Sequence, residues 1–256
     1  MSAPVKLSPR ALKLGACLGL IGLIAAIAQP SWAQSLTFDL GEAGGSTTGR
    51  IIQTLALLTV LSLAPSILVM VTSFTRIVVV LSFLRTAIGI QSSPPNSVMI
   101  SLALFLTAFI MTPTLERAFN EGVKPLMAEE INEAEALNRV VKPFHEFMIR
   151  HVREKDLRLF LDIAKAGPVA TPADTPLRAL VPAFMISELR RAFEIGFLLF
   201  IPFLIIDMVV ASLLMAMGMM MLPPAVVSLP FKLIFFVLVD GWFLVAGSLV
   251  QSYGAI

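Results

Sequence analysis

The sequence is poor in the residues that do chemistry. It holds one cysteine, Cys17, and two histidines, His145 and His151. A single thiol makes no intrachain disulfide and no thiolate metal site. The histidines are six residues apart, so they do not share a helix face as i, i+4 ligands do. No carboxylate cluster surrounds them, and ordinary packing or surface histidines are expected. GxGxxG, P-loop, GxSxG and HExxH patterns are all missing. The acidic run EEINEAE, residues 129–135, is a solvated helix face before it is an acid–base pair. No enzyme, metal or cofactor is expected. Charge is also scarce: 14% of the 256 residues are Asp, Glu, Lys or Arg, against about 25% in soluble domains. Lys6, Arg10 and Lys13 lie in a segment expected to be removed, and without them the 17 acidic residues slightly outnumber the remaining basic ones. That balance gives no reason to expect nucleic acid or an anionic surface as a partner.

What is present is apolar. Hydrophobic residues make up 57% of the chain and the mean hydropathy is +0.88, the composition of a membrane protein. The N-terminus has the form of a secretory signal peptide over residues 1–33. Lys6, Arg10 and Lys13 are its positive region, and Leu14 to Ala28 is an apolar stretch short for a span. The small residues of SWA place cleavage between Ala33 and Gln34. The competing reading is an uncleaved first transmembrane helix.

The rest divides by charge. Residues 34–50 are polar and Gly-rich, a flexible lead on the periplasmic side. Residues 51–113 predict a first hydrophobic helical hairpin, kinked at Pro65, turning at QSSPPN (residues 91–96) and ended near Pro113. Residues 114–181 carry most of the charge at a spacing near 3.6 and predict a helical periplasmic insert. There Leu126 leads into Leu137 and Val141, and Phe144, Phe147 and Met148 share a face with His151. A Pro-rich loop closes the insert. Residues 182–256 predict a second hairpin that turns at Pro223 and Pro224, its last helix kinked at Pro230. The fold class is therefore an all-α membrane protein: two long kinked helical hairpins with a small helical insert between them. Counting from a periplasmic start puts both hairpin turns on the cytoplasmic side, in agreement with Arg85 and Lys232.

Two features stand out within the apolar segments. Arg76, Asp207, Lys232 and Asp240 each carry charge where insertion costs about 2.5–3.5 kcal/mol at a helix centre. Asp207 and Asp240 are spaced to reach similar depth on either side of the Pro223–Pro224 turn. Either Arg76 and Lys232 meet them as buried ion pairs, between subunits, or all four sit in watery regions or snorkel. The second feature is LLMAMGMMMLPP, residues 213–224, with Met215, Met217, Met219, Met220 and Met221 just before a proline pair. Methionine commonly fills irregular gaps in a core, and the residues alone favour that use.

SFTRIVVVLSFLRTAIGIQSSPPN (residues 73–96) and PAFMISELRRAFEIGF (residues 182–197) closely resemble the FliP family of flagellar type III export-gate proteins, which has injectisome homologues (FliP/SctR). The resemblance covers nearly all of the chain beyond the lead. It implies a pore-forming export gate in the inner membrane, at the centre of the flagellar basal body, with much of the chain at or above the periplasmic face. It implies a homo-oligomer of about five copies with two smaller partners, FliQ and FliR, next to rod proteins, passing unfolded polypeptides. It also implies that Met215, Met217, Met219, Met220 and Met221 form a gasket in the channel, with Gly218, Pro223 and Pro224 as the hinge of that loop. Glu188, Arg190, Arg191 and Glu194 are packed too densely along SELRRAFE to face lipid and join the buried or intersubunit charges. A small-solute transporter and a non-conducting scaffold for the rod are the alternatives.

Overall fold

The computed structural model describes residues 47–90, 93–166, 171–219 and 221–254. The expected signal segment and its cleavage site at Ala33 and Gln34 lie outside the described residues, as does most of the lead. The chain divides into two units, Met1–Gln53 and Thr54–Ile256, and the second holds the packed core. Among the described residues there are helices and no strands.

The first helices are α1 (Thr47–Met70) and α2 (Phe74–Ile88); Thr54–Met70 and α2 form a broken pair bent by 65°. A turn capped by left-handed Gly89 leads to α3 (Asn96–Ala118), which continues through a π turn (Phe119–Val123) into α4 (Lys124–Met127). The insert supplies α5 (Glu133–His151) and α6 (Glu154–Ile163). Then comes α7 (Leu177–Ala216), 40 residues long, followed by α8 (Pro224–Leu238) and α9 (Gly241–Gln251), bent by 62° between them. Residues 96–127 and α7 are each long and apolar enough to cross a membrane, and up to four spans result if each bent pair is one.

α2 is the centre of the second unit. Its Ile77, Val80, Leu81 and Leu84 are all buried, packed chiefly against α7 and α3. Gly196 permits the close approach of α7, since a Cβ there would stand 2.6 Å from the Phe83 ring. The insert joins this core instead of forming its own. Asn132 caps α5 by accepting from the Glu135 amide at 2.9 Å, and Glu133 and Glu135 complement the positive end of the helix. From there the apolar face of α5 runs down to Phe147, Met148 and His151, all buried against Phe184 and Tyr253. Leu137, placed on that face by spacing, is exposed, as is Leu126.

The prolines act differently from their expected role as helix breakers. The helix continues past position 65, and the first break falls at residues 71–73. α3 runs through Pro113, where Thr112 donates to the Ala108 carbonyl at 2.8 Å, and α7 runs through both Pro182 and Pro202. α8 likewise runs through Pro230; the bend comes later, at Asp240, in a left-handed conformation (φ 50°). Helices with apolar surroundings tolerate proline where neighbouring groups take up the freed carbonyl. Helix ends therefore depart from the expected boundaries: α1 begins inside the lead, and α7 begins inside the Pro-rich loop.

Candidate functional site

The methionine-rich turn joins α7 to α8. At the end of α7 the Gly218 amide donates to the Met215 carbonyl, and the Met219 amide to the Leu214 carbonyl, at 3.0 and 2.9 Å. This paired closure, with Gly218 left-handed at φ 72°, is a Schellman cap. A Cβ on Gly218 would meet nothing within 4 Å, so conformation, not space, requires glycine here. Pro223 precedes α8 and Pro224 fills its first position, where a missing amide costs nothing. Met215, Met217, Met219 and Met221 are exposed, Met221 at 98%. Met220 lies outside the described residues. The four described methionines therefore fill no gap in the core of this chain.

The charges sort into three groups. Arg76 and Glu188 are fully buried and paired: Nε donates to Oε2 at 2.8 Å and Nη2 to Oε1 at 2.5 Å. The Tyr253 hydroxyl also donates to Glu188 Oε2. Arg76 Nη1 donates to Ser252 Oγ at 2.9 Å, and its guanidinium lies 3.7 Å from the Tyr253 ring centroid. One buried cluster thus fastens α2, α7 and the segment after α9. His151 adds the insert to it, with its ring 5.1 Å from that of Tyr253. His151 Nδ1 donates to the Phe147 carbonyl at 2.8 Å, which fixes the tautomer. Burial holds this imidazole below its usual value, against the opposing pull of the Phe147 carbonyl and of Glu188.

The second group is Lys232 and Asp207. Nζ lies 2.6 Å from Oδ2 and 3.3 Å from the Ala87 carbonyl, while Ser228 donates to Asp207 Oδ1 at 2.5 Å. The lysine is buried and the aspartate one-third exposed. This pair ties α8 to α7 and to the end of α2. The third group faces outward: Arg190 and Glu194 pair with each other on the surface at 2.9 Å, Arg191 is half-buried, and Asp240 is exposed at the bend with no ion-pair partner among the described residues. Both interior pairs thus close within one chain. Arg76 meets Glu188 and not an aspartate, and Asp207 and Asp240 are not a facing pair of carboxylates sharing two cations. Tyr253, Ser252 and Ser228 carry no signal in the sequence that would single them out.

Among the described residues no group of His, Cys, Asp or Glu is placed to hold a metal. Beyond the core, α7, α8 and α9 expose large apolar side chains, among them Phe197, Leu198, Val237, Leu238 and Phe243. Polar groups inside the molecule fasten helices to one another, and its outer surface is apolar over long stretches. Fold and site together define an all-helical membrane protein built to sit among lipids and other chains.

The sequence profile of the FliP family matches residues 57–249. The chain is 58% identical over 245 residues to the flagellar biosynthetic protein FliP of Caulobacter vibrioides, covering 94% of this chain and 92% of that one. It is 54% identical over 225 residues to FliP of Rhizobium meliloti (86% and 92% covered). It is 57% identical over 202 residues to FliP of Bacillus subtilis (79% and 91% covered). The chain belongs to the FliP family of flagellar biosynthetic proteins, components of the flagellar export apparatus and not enzymes.

Proposed function

We propose that this chain is the pore-forming subunit of the flagellar export gate, and that its methionine turn is the seal. Several copies, about five by resemblance, would stand in a ring with FliQ and FliR in the bacterial inner membrane. The ring, reaching into the basal body next to the rod, would let unfolded flagellar proteins through. The observation that carries this reading is the exposure of Met215, Met217, Met219 and Met221 where α7 ends in a Schellman cap. Buried methionine would be filler. Methionine held out on a capped turn is a surface waiting for contact. Unbranched, polarizable side chains repack at low cost around any sequence. A ring of them excludes water from a narrow channel and gates it by dewetting. A capped helix end under soft side chains suits both tasks: the cap holds position while the lining deforms. The proposed hinge, Gly218 with Pro223 and Pro224, then acts as a fixed corner more than as a moving joint.

Replacing Met219, Met220 and Met221 by alanine tests this reading. Assembly is expected to persist, because Met219 and Met221 are exposed and fill no gap in the core of the chain. Cells secreting through the altered gate are expected to leak small ions, read as dye-reported membrane depolarisation. Unaltered membrane tightness during active secretion would count against the methionine seal.

A further inference from the structure

We infer a separate site, for an anionic phospholipid, where the end of α2, with Ser93 and Pro94, meets the bend between α8 and α9. A cavity of about 190 Å3 lies there. Leu84, Ile88 and Phe236 form its buried floor, and Arg85, Ser93 and Trp242 stand on its rim. Arg85 has a specific posture. Its Nη1 donates to Asn96 Oδ1 at 2.6 Å and reaches the Pro94 carbonyl at 3.4 Å. These bonds orient the guanidinium and use one nitrogen. The Nε and Nη2 edge, the one that grips a phosphate in bidentate fashion, has no partner among the described residues. No carboxylate among the described residues lies within ion-pair distance of Arg85. The contrast with Arg76 and Lys232 is direct, because both of those cations are neutralised by carboxylates.

Trp242 supplies the second half. Its ring sits edge-on to Phe236 with centroids 5.5 Å apart, so the apolar body is anchored. Its indole N–H has no acceptor among the described residues. An aromatic side chain with one apolar side and one free donor is the type found where membrane meets water. An apolar cleft, an uncompensated guanidinium edge and a free indole donor together match an acyl chain below a phosphate headgroup. A partner helix, about 10–12 Å across with its side chains, does not fit the cavity. A zwitterionic headgroup would set its own ammonium beside Arg85, whereas an anionic one supplies the missing negative charge. Arg85 also complements the negative end of α2. That role needs no ligand and predicts no lipid preference, so the two are separable. The proposal stands apart from the export-gate reading and fails or holds on lipid binding alone.

The experiment uses the full chain in mild detergent with Trp32→Phe, which leaves Trp242 as the one indole of the two in the sequence. Quenching of its fluorescence by brominated phosphatidylglycerol is compared with quenching by brominated phosphatidylcholine. A preference of about fivefold for the anionic lipid is expected, the amount one basic residue gives at an anionic surface. It is expected to vanish in Arg85→Gln and, without any change at Arg85, to collapse as salt is raised. The salt arm keeps the test valid if the Arg85→Gln protein does not fold. Equal quenching by both lipids, a preference that survives Arg85→Gln or high salt, no quenching by either, or full displacement by inorganic phosphate would each overturn the proposal.

Discussion

Glu188→Ala is the most informative single change in this fold. The side chain is fully buried and accepts from three donors: Arg76 Nε, Arg76 Nη2 and the Tyr253 hydroxyl. Removing it leaves a guanidinium with no counter-charge and a phenol with no acceptor, in a place that water does not reach. Breaking a buried pair from one side costs about 3–5 kcal/mol. That is a large part of the roughly 5–15 kcal/mol that holds a domain folded. For a chain of this size each kcal/mol shifts the melting temperature by about 2–4 °C, so a drop on the order of 6–20 °C is expected. The assay is thermal unfolding of the full chain in mild detergent. Arg76→Met combined with Glu188→Leu is expected to recover much of the loss, because two apolar side chains bury no charge. A Glu188→Ala protein that melts within about 2 °C of the parent, or a double variant worse than the single one, would refute the claim that this cluster is a closed and satisfied unit.

Three further predictions follow from the same geometry. Lys232→Met is expected to cost less, about 1–2 kcal/mol, because Asp207 is one-third exposed and keeps the Ser228 hydroxyl; a loss equal to that of Glu188→Ala would mean that water does not reach Asp207. Gly218→Ala is expected to cost about 1–2 kcal/mol from left-handed strain alone, with Gly218→Asn milder, and both are read by melting temperature. His151 is held below its usual pKa by burial, so below the unfolded value of about 6.5 the unfolded chain takes a proton that the folded chain refuses. Stability contributed by neutral His151 is therefore full above pH 6.5 or so and is lost as pH falls through the folded value, by at most about 1.4 kcal/mol per pH unit. A melting temperature unchanged between about pH 6.5 and 5, or one changing equally in His151→Gln, would contradict this.

Much of this architecture was legible because it rests on short-range signals. QSSPPN and the Pro223–Pro224 pair do interrupt helices, and the 3.6 spacing of the insert did place Phe147, Met148 and His151 on one face. Prolines inside apolar stretches were the unreliable signal. Pro113, Pro202 and Pro230 sit within helices, and the true bends, at residues 71–73 and at Asp240, carry no proline. Where a helix bends depends on how its two halves pack, and local propensity holds little of that. The partner of Arg76 was hidden for a related reason. Glu188 lies 112 residues away, and a sequence gives the cost of a buried charge without the depth at which its counter-charge arrives. Tyr253 was hidden more deeply, since a lone tyrosine near the end of a chain looks like any surface residue until the cluster around it is assembled.

Under the proposed function this chain works as one subunit of a closed ring and not alone. The most direct measurement is the native mass of the protein, co-expressed with the genes beside it and extracted in mild detergent. A discrete assembly of several copies carrying two smaller membrane proteins is expected. A protein that remains a monomer or dimer, with no companions, would contradict it, because one chain with two hairpins cannot enclose a channel wide enough for a polypeptide.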